Sequence, residues 1–203
     1  MKRFIFLKIE LKTKKMIEMK QARSIYLEIA TSNAFVKSIW IVAFVALTFL
    51  GAKIEIPVQP VPYTLQTMFV MLSGAFLGPY LGALSQLFYL LLGSAGLPVF
   101  AGPTAGILKL FGPTGGYLLA FPVSAFVIGY LVRLRDSFVW IVLSMFVGLI
   151  LIFAFGTIQL NFVLLHNWSD AIKSGFLIFS FWDALKLFAS ASIYKALKKF
   201  EVK

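Results

Sequence analysis

Residues Leu65–Leu92 read LQTMFVMLSGAFLGPYLGALSQLFYLLL, and whether they form one helix or two decides the fold. The run is apolar enough to enter a membrane, but Gly78-Pro79 interrupts its middle. Proline removes a backbone donor and clashes with the preceding turn, so a helix breaks or kinks there. As one kinked helix the stretch gives the chain five membrane spans; as two it gives six. Each half is then only about 20 Å long at 1.5 Å per residue. Such short helices leave a depression into which loops can dip, provided protein or water lines it.

Charge selects between the counts. Outward from this hairpin, apolar runs cover Phe35 to Ala52, Tyr117 to Val132, Phe138 to about Leu160, and Gly175 to Tyr194. The net charge is +11, of which residues 1–37 carry +6 and residues 195–203 carry +3. Arg133 and Arg135 lie between the runs that end at Val132 and start at Phe138. Basic segments stay on the cytoplasmic side. Six spans put both ends and the Arg133/Arg135 loop on that side, whereas five would place the basic tails opposite each other. The expectation is an all-α polytopic membrane protein with six transmembrane helices and inward-folded outer loops, multi-pass in a prokaryotic cell membrane with both termini cytoplasmic. Residues 1–34 form a basic amphipathic segment at the inner surface, 35–197 the six-helix domain and 198–203 a basic tail. Met16 and Met19 are alternative start sites, and no cleavable signal peptide is apparent.

Composition narrows the function classes. Sixty per cent of the residues are hydrophobic and 13% charged, which excludes an ordinary soluble domain. Basic residues confined to the flanks of apolar runs indicate a lipid bilayer, not a nucleic-acid partner. Cysteine is absent, so thiolate metal sites and cysteine nucleophiles are excluded. Gly74, Gly78 and Gly82 recur every four residues, a spacing that lets backbones approach closely.

The chemistry concentrates in the last run, GFLIFSFWDALKLFASASIY, where Asp183 and Lys186 stand far from other charges. Three residues apart on a helix, they share a face. Either charge at mid-membrane costs about 2.5–3.5 kcal/mol, so it must face a cavity, a partner or the other charge. The two readings are a neutralised pair that helps helices pack, and the polar centre of a pocket for a small ligand. Two outer loops accompany the pair. Lys53 to Thr64 reads KIEIPVQPVPYT, stiffened by Pro57, Pro60 and Pro62, and delivers Gln66 to the mouth of the second helix. Gly93 to Thr114 reads GSAGLPVFAGPTAGILKLFGPT, and its Leu97, Val99, Phe100, Leu108 and Phe111 are expected to fold inward as a lid. The GPTGGY stretch lacks the lysine and serine of a phosphate loop. Lys109 reads either as a solvated lysine or as a carboxylate partner.

IPVQPVPYTLQT, LGPYLGALSQLFYLLLGSAGLPVFAG, LFGPTGGYL and the Asp183–Lys186 pair resemble the motifs of BioY, the biotin-binding membrane subunit of energy-coupling factor transporters. The resemblance runs in register from about Ile41 to Leu197, with AGPTAGILK departing from the more glycine-rich family loop. It implies six membrane helices and a biotin pocket near the outer face. Asp183 then accepts from a ureido N–H and Lys186 donates to a ligand oxygen. Gln66 is a further polar contact, Phe100 and Tyr117 pack on the ligand, and Gly115 and Gly116 open their backbone amides to it. No cofactor is implied. The implied partners are a transmembrane coupling protein and two ATPase subunits, reached through small residues of the first helix such as Ala43 and Ala46. The alternatives are a stand-alone vitamin carrier, for which no internal repeat is evident, and an intramembrane enzyme. For the latter the sole histidine, His166, has no nucleophile or metal cluster to work with.

Overall fold

The computed structural model describes residues 32–102, 105–177 and 181–200, so most of the basic N-terminal segment and the last residues of the tail lie outside the described part. Helix α1 spans Ala34–Lys53 and starts where the Asn33 side chain accepts the Val36 N–H, a standard cap for an otherwise orphaned donor. A two-residue hairpin follows, β1 (Glu55–Ile56) antiparallel to β2 (Tyr63–Thr64), with the prolines in its loop. Then come α2 (Gln66–Ser94), the single turn α3 (Leu108–Phe111), α4 (Gly115–Leu131) and α5 (Phe138–Leu160). A π turn (Asn161–Leu165), the short α6 (Trp168–Ala171), a second π turn (Ile172–Phe176) and α7 (Phe181–Phe200) complete the order.

Helix α2 is two helices. Gly78 has φ 79°, ψ −173°, outside the helical region, and the chain folds back on itself there. Gln66 Nε2 donates to the Tyr89 hydroxyl at 2.7 Å and Gln86 Nε2 to Ser73 Oγ at 3.1 Å. In a straight rod residues 66 and 89 would stand about 35 Å apart, so residues 66–77 and 79–94 are antiparallel partners. The glycines expected to allow close approach do so: a Cβ on Gly82 would lie 2.8 Å from Ser73 O, and one on Gly74 would lie 2.4 Å from Ala125 O in α4.

Helix α4 is the hub, packed against both halves of α2 and against α5, while α1 lies on α2 and α7 closes against α2 and α5. Two apolar clusters fill the bundle. One, around Met71, Leu77, Ile128, Met145 and Leu187, occupies the end that carries the α4–α5 loop. The other, around Tyr89, Phe100, Tyr117, Phe121 and Phe153, lies beneath the hairpin and lid. Large apolar residues also cover the outer surface, including Phe35, Val42 and Leu50 on α1 and Val139 and Leu143 on α5, as expected of a bundle immersed in lipid. Ala34–Lys53 and Phe138–Leu165 are long and apolar enough to cross a membrane, as Gln66–Ser94 would be if it did not fold back.

Lys198 pairs with Asp136 at 2.7 Å, so the C-terminal end of α7 meets the Arg133/Arg135 loop. At the other end of α1, Lys53 donates to the Phe100 carbonyl at 3.1 Å, among the lid residues. The start of α1 and the end of α7 therefore share the end of the bundle opposite the lid.

Two expectations are corrected. The last run is not one helix from Gly175 to Tyr194: Gly175 lies inside a π turn that ends at Phe176, and Trp168–Phe176 and Phe181–Lys198 are bent by 47°. Asp183 consequently sits in the first turn of α7, near one end of the bundle. The lid also divides its apolar residues. Phe100 is buried and Val99 packs against the second cluster, but Leu97, Leu108 and Phe111 point outward. Positive φ at Gly96, Gly102 and Gly106 turns this loop sharply, and a chain that reverses this often cannot bury both of its faces.

Candidate ligand-binding site

Asp183 and Lys186 face inward from the first two turns of α7, 2% and 7% exposed, with Lys186 Nζ 2.6 Å from Asp183 Oδ1. A carboxylate in a first helical turn also meets the positive end of the helix dipole. Lys186 Nζ makes a second bond, 3.0 Å to the carbonyl oxygen of Thr64 in β2. The hairpin is thus fastened to the ion pair by its backbone. Removing either partner would leave a buried, uncompensated charge, which costs about 3–5 kcal/mol.

Beside the pair lies a cavity of about 50 Å³, lined by Val61, Pro62, Tyr63, Thr64, Thr67, Tyr117, Ile152, Phe153, Asp183 and Lys186. That is room for no more than a few waters. Its wall is aromatic and aliphatic, with polarity supplied by the pair and by Thr67. Thr67 Oγ1 is buried and has no hydrogen-bond partner among the described residues, a costly state that an incoming donor or acceptor would relieve. On the far side of Pro62, which lines both spaces, an outer cleft of about 610 Å³ opens between the proline loop and the lid. Strap residues 61–64 separate the two.

Of the residues singled out in the sequence, Asp183, Lys186 and Tyr117 meet at the cavity. Tyr117 seats its ring where a Cβ on Gly156 would be, 2.3 Å from its ring atoms, and donates its hydroxyl to Gly175 O at 2.9 Å. The other four stand away from it. Gln66 turns to Tyr89 and accepts from Thr64 Oγ1 at 3.0 Å. Phe100 packs edge-on against Tyr89, ring centroids 5.5 Å apart, above Gly93, where any Cβ would collide with its ring. Gly115 and Gly116 start α4 against Leu110, Phe155 and Gln159, and a Cβ on them would lie 1.9 Å from Leu110 O and 2.4 Å from Phe155 O respectively. Their smallness serves helix packing in this conformation.

Three participants escaped the sequence reading. Thr64 acts through its backbone, which no side-chain motif reveals. Thr67 hides in an apolar run that contains several hydroxyls. Gln159 donates from Nε2 to the carbonyls of Leu110 (2.7 Å) and Gly112 (2.8 Å) and so anchors the lid to α5. Its signal was available: Thr157, Gln159 and Asn161 break an otherwise apolar run. Among the described residues no group of three or more His, Asp or Glu is placed to hold a metal ion.

The model of the BioY family matches residues 19–202. This chain belongs to the BioY family. It is 48% identical over 159 residues to the biotin transporter BioY of Thermotoga maritima, covering 78% of this chain and 94% of the relative. The probable biotin transporter BioY of Pyrococcus horikoshii is 49% identical over 117 residues, 52% of this chain and 72% of the relative. The fold matches the crystal structure of the S-component for biotin from an ECF-type ABC transporter, with a TM-score of 0.75 and 27% identity over 80% of this chain and 90% of that one. BioY membership agrees with the helical architecture described above.

Proposed function

We propose that this chain binds biotin at the lid end of the bundle and is the substrate-binding subunit of an energy-coupling factor transporter. It is not an enzyme, and ATP hydrolysis belongs to partner subunits. The observation that carries the site is the buried Asp183–Lys186 pair on a cavity wall, with one lysine bond given to a replaceable backbone carbonyl. Biotin offers what these groups need: ureido N–H donors for Asp183, an oxygen acceptor for Lys186, and an apolar bicycle for Tyr117 and Phe153. A pocket for such a ligand measures about 300 Å³ or more. Entry therefore requires strap residues 61–64 to lift, joining the cavity to the outer cleft, and the ligand oxygen replaces the Thr64 carbonyl at Lys186.

The shared end of Asn33 and Lys198 is assigned to the cytoplasm and the lid to the outside, which gives six spans when α2 is divided at Gly78. Contact with a coupling protein is assigned to α1. Phe35, Ile39, Val42, Ala46 and Leu50 form an exposed stripe at helical spacing, in which Ala46 is a notch and Ala43, half-buried, lies beside it.

Labelled biotin and the purified protein test the site. Wild type is expected to bind tightly and Asp183→Asn to lose at least about 100-fold in affinity, since a charged hydrogen bond and its pairing are both removed. Unchanged affinity in that variant would remove Asp183 from the site. The absence of native cysteines permits single-cysteine labelling from either side of the membrane, and a cysteine at position 135 reactive from outside would reverse the orientation.

A further inference from the structure

At the end of the bundle opposite the lid, amphipathic rings from three helical segments stand at one level. Gly129 packs against the Gly78 carbonyl carbon and Pro79 N, so the last turn of α4 meets the reversal in α2. Tyr130 and Tyr80, 57% and 73% exposed, are the next residues along each chain from that contact. Trp140, in the first turn of α5, donates its indole Nε1–H to the Leu131 carbonyl at 2.7 Å and its backbone N–H to Ser137 Oγ at 3.1 Å. Its ring is thereby fixed beside the same turn of α4. Tyr and Trp settle where a bilayer's hydrocarbon meets its headgroups, so these rings mark that boundary.

Arg135 stands at this level, its guanidinium over the Trp140 ring with Cζ 5.0 Å from the centroid. Stacking engages the face of the guanidinium and leaves its in-plane N–H donors for a phosphate. Asp136, the only acid between Val132 and Leu160, does not claim them. It is held by Lys198 at 2.7 Å, and no carboxylate lies within 4.0 Å of Arg135 among the described residues. Arg133 and, one turn before Lys198, the exposed Lys195 add positive charge to this end. Leu134 and Val139, 51% and 67% exposed, border the arginine with aliphatic surface. A cation on an indole platform with aliphatic groups beside it matches a phosphate that carries acyl chains.

We propose that Arg135, seated on Trp140, binds the headgroup phosphate of an anionic phospholipid, with Leu134 and Val139 against its acyl chains. The site lies at the opposite end of the molecule from Asp183 and Lys186, so it needs the membrane placement but not the biotin reading. A lipid bound there fastens the α4–α5 loop to the membrane surface and, through Asp136 and Lys198, the end of α7 with it.

Native mass spectrometry of the full chain, delipidated in a neutral detergent, would rank three probes: phosphatidylglycerol, phosphatidylcholine with the same acyl chains, and glycerol phosphate, a headgroup without chains. Wild type is expected to hold phosphatidylglycerol at least about fivefold more tightly than phosphatidylcholine, whose choline already neutralises its phosphate. Glycerol phosphate is expected not to bind. In Arg135→Gln the preference is expected to vanish while phosphatidylcholine binds as to wild type, which also shows that the variant is folded. Arg135→Lys is expected to retain the preference. Equal affinity of wild type for the two lipids, a preference that survives in Arg135→Gln, or an equal loss of both lipids in that variant would overturn the site. Glycerol phosphate held as tightly as phosphatidylglycerol would make Arg135 a receptor for a soluble anion and overturn the lipid.

Discussion

Tyr89 donates its hydroxyl to the carbonyl oxygen of Val99 at 2.8 Å, tying the second half of α2 to the lid. The same hydroxyl accepts from Gln66 Nε2 at 2.7 Å, and Gln66 in turn holds Thr64 Oγ1. Lid and strap, the two covers of the cavity, are thus joined through one phenol and one amide. Tyr89→Phe leaves the Val99 carbonyl and a Gln66 N–H unpaired in an apolar surrounding, a loss of about 1–3 kcal/mol. Hydrogen exchange in residues 95–102 is expected to accelerate at least about fivefold, with faster release of bound ligand. Unchanged exchange there would mean that the lid is held by its apolar contacts alone.

The ion pair makes a prediction about stability that is separate from binding. Lys186→Met strands a carboxylate in the bundle, whereas the double variant Asp183→Asn with Lys186→Met strands no charge. Breaking one half of a buried pair costs about 3–5 kcal/mol, while replacing both halves by neutral groups is often close to neutral. Thermal unfolding in detergent should therefore rank wild type and double variant near each other and the single variant well below. Neither variant should bind ligand. A double variant as unstable as the single one would show that the groups matter separately and not as a pair.

How much of this was legible beforehand depended on whether the signal sat in side chains or in backbone. Gly78-Pro79 announced the reversal in α2, and the basic loop and tail announced which ends lie together, because sterics and charge act locally along the chain. Asp183 and Lys186 stood out because isolated charges in an apolar run require company. The bend after Gly175 was not legible: FLIFSF is as apolar as the helices around it, and hydropathy does not register a change of direction. Gln66 was read as a polar contact to the ligand, whereas in the structure its amide is turned to another side chain. Sequence alone could not tell that the partner is Tyr89, 23 residues away across a hairpin.

Glycines that look alike in the sequence separate by what surrounds them. A Cβ at Gly129 would lie 2.4 Å from the Gly78 carbonyl carbon and 2.5 Å from Pro79 N, backbone atoms that cannot swing aside. Gly129→Ala therefore forces α4 away from the reversal that defines the fold, at about 1–3 kcal/mol or more. Gly96 has open space around it, but its φ of +98° disfavours any side chain, so Gly96→Ala costs about 1–2 kcal/mol confined to the lid. The melting temperature should fall further for Gly129→Ala, whereas protease sensitivity near residue 96 should rise only for Gly96→Ala. The reverse ranking would contradict the packing of α4 into the Gly78 break.

Lys109 supplies a pH dependence whose sign can be worked out. Burial holds its pKa below the ordinary lysine value, and the negative charge of Glu55 restores part of the loss. Between the folded and unfolded pKa values the unfolded chain binds more protons, so Lys109's contribution to fold stability rises with pH across that window. Thermal stability followed against pH should therefore rise more in wild type than in Lys109→Gln across that window. Glu55→Gln removes the compensating charge, lowers the Lys109 pKa further and extends the window to lower pH. A Lys109→Gln profile that matches wild type would assign the titration to another group, and an unmoved window in Glu55→Gln would show that Glu55 does not act on Lys109.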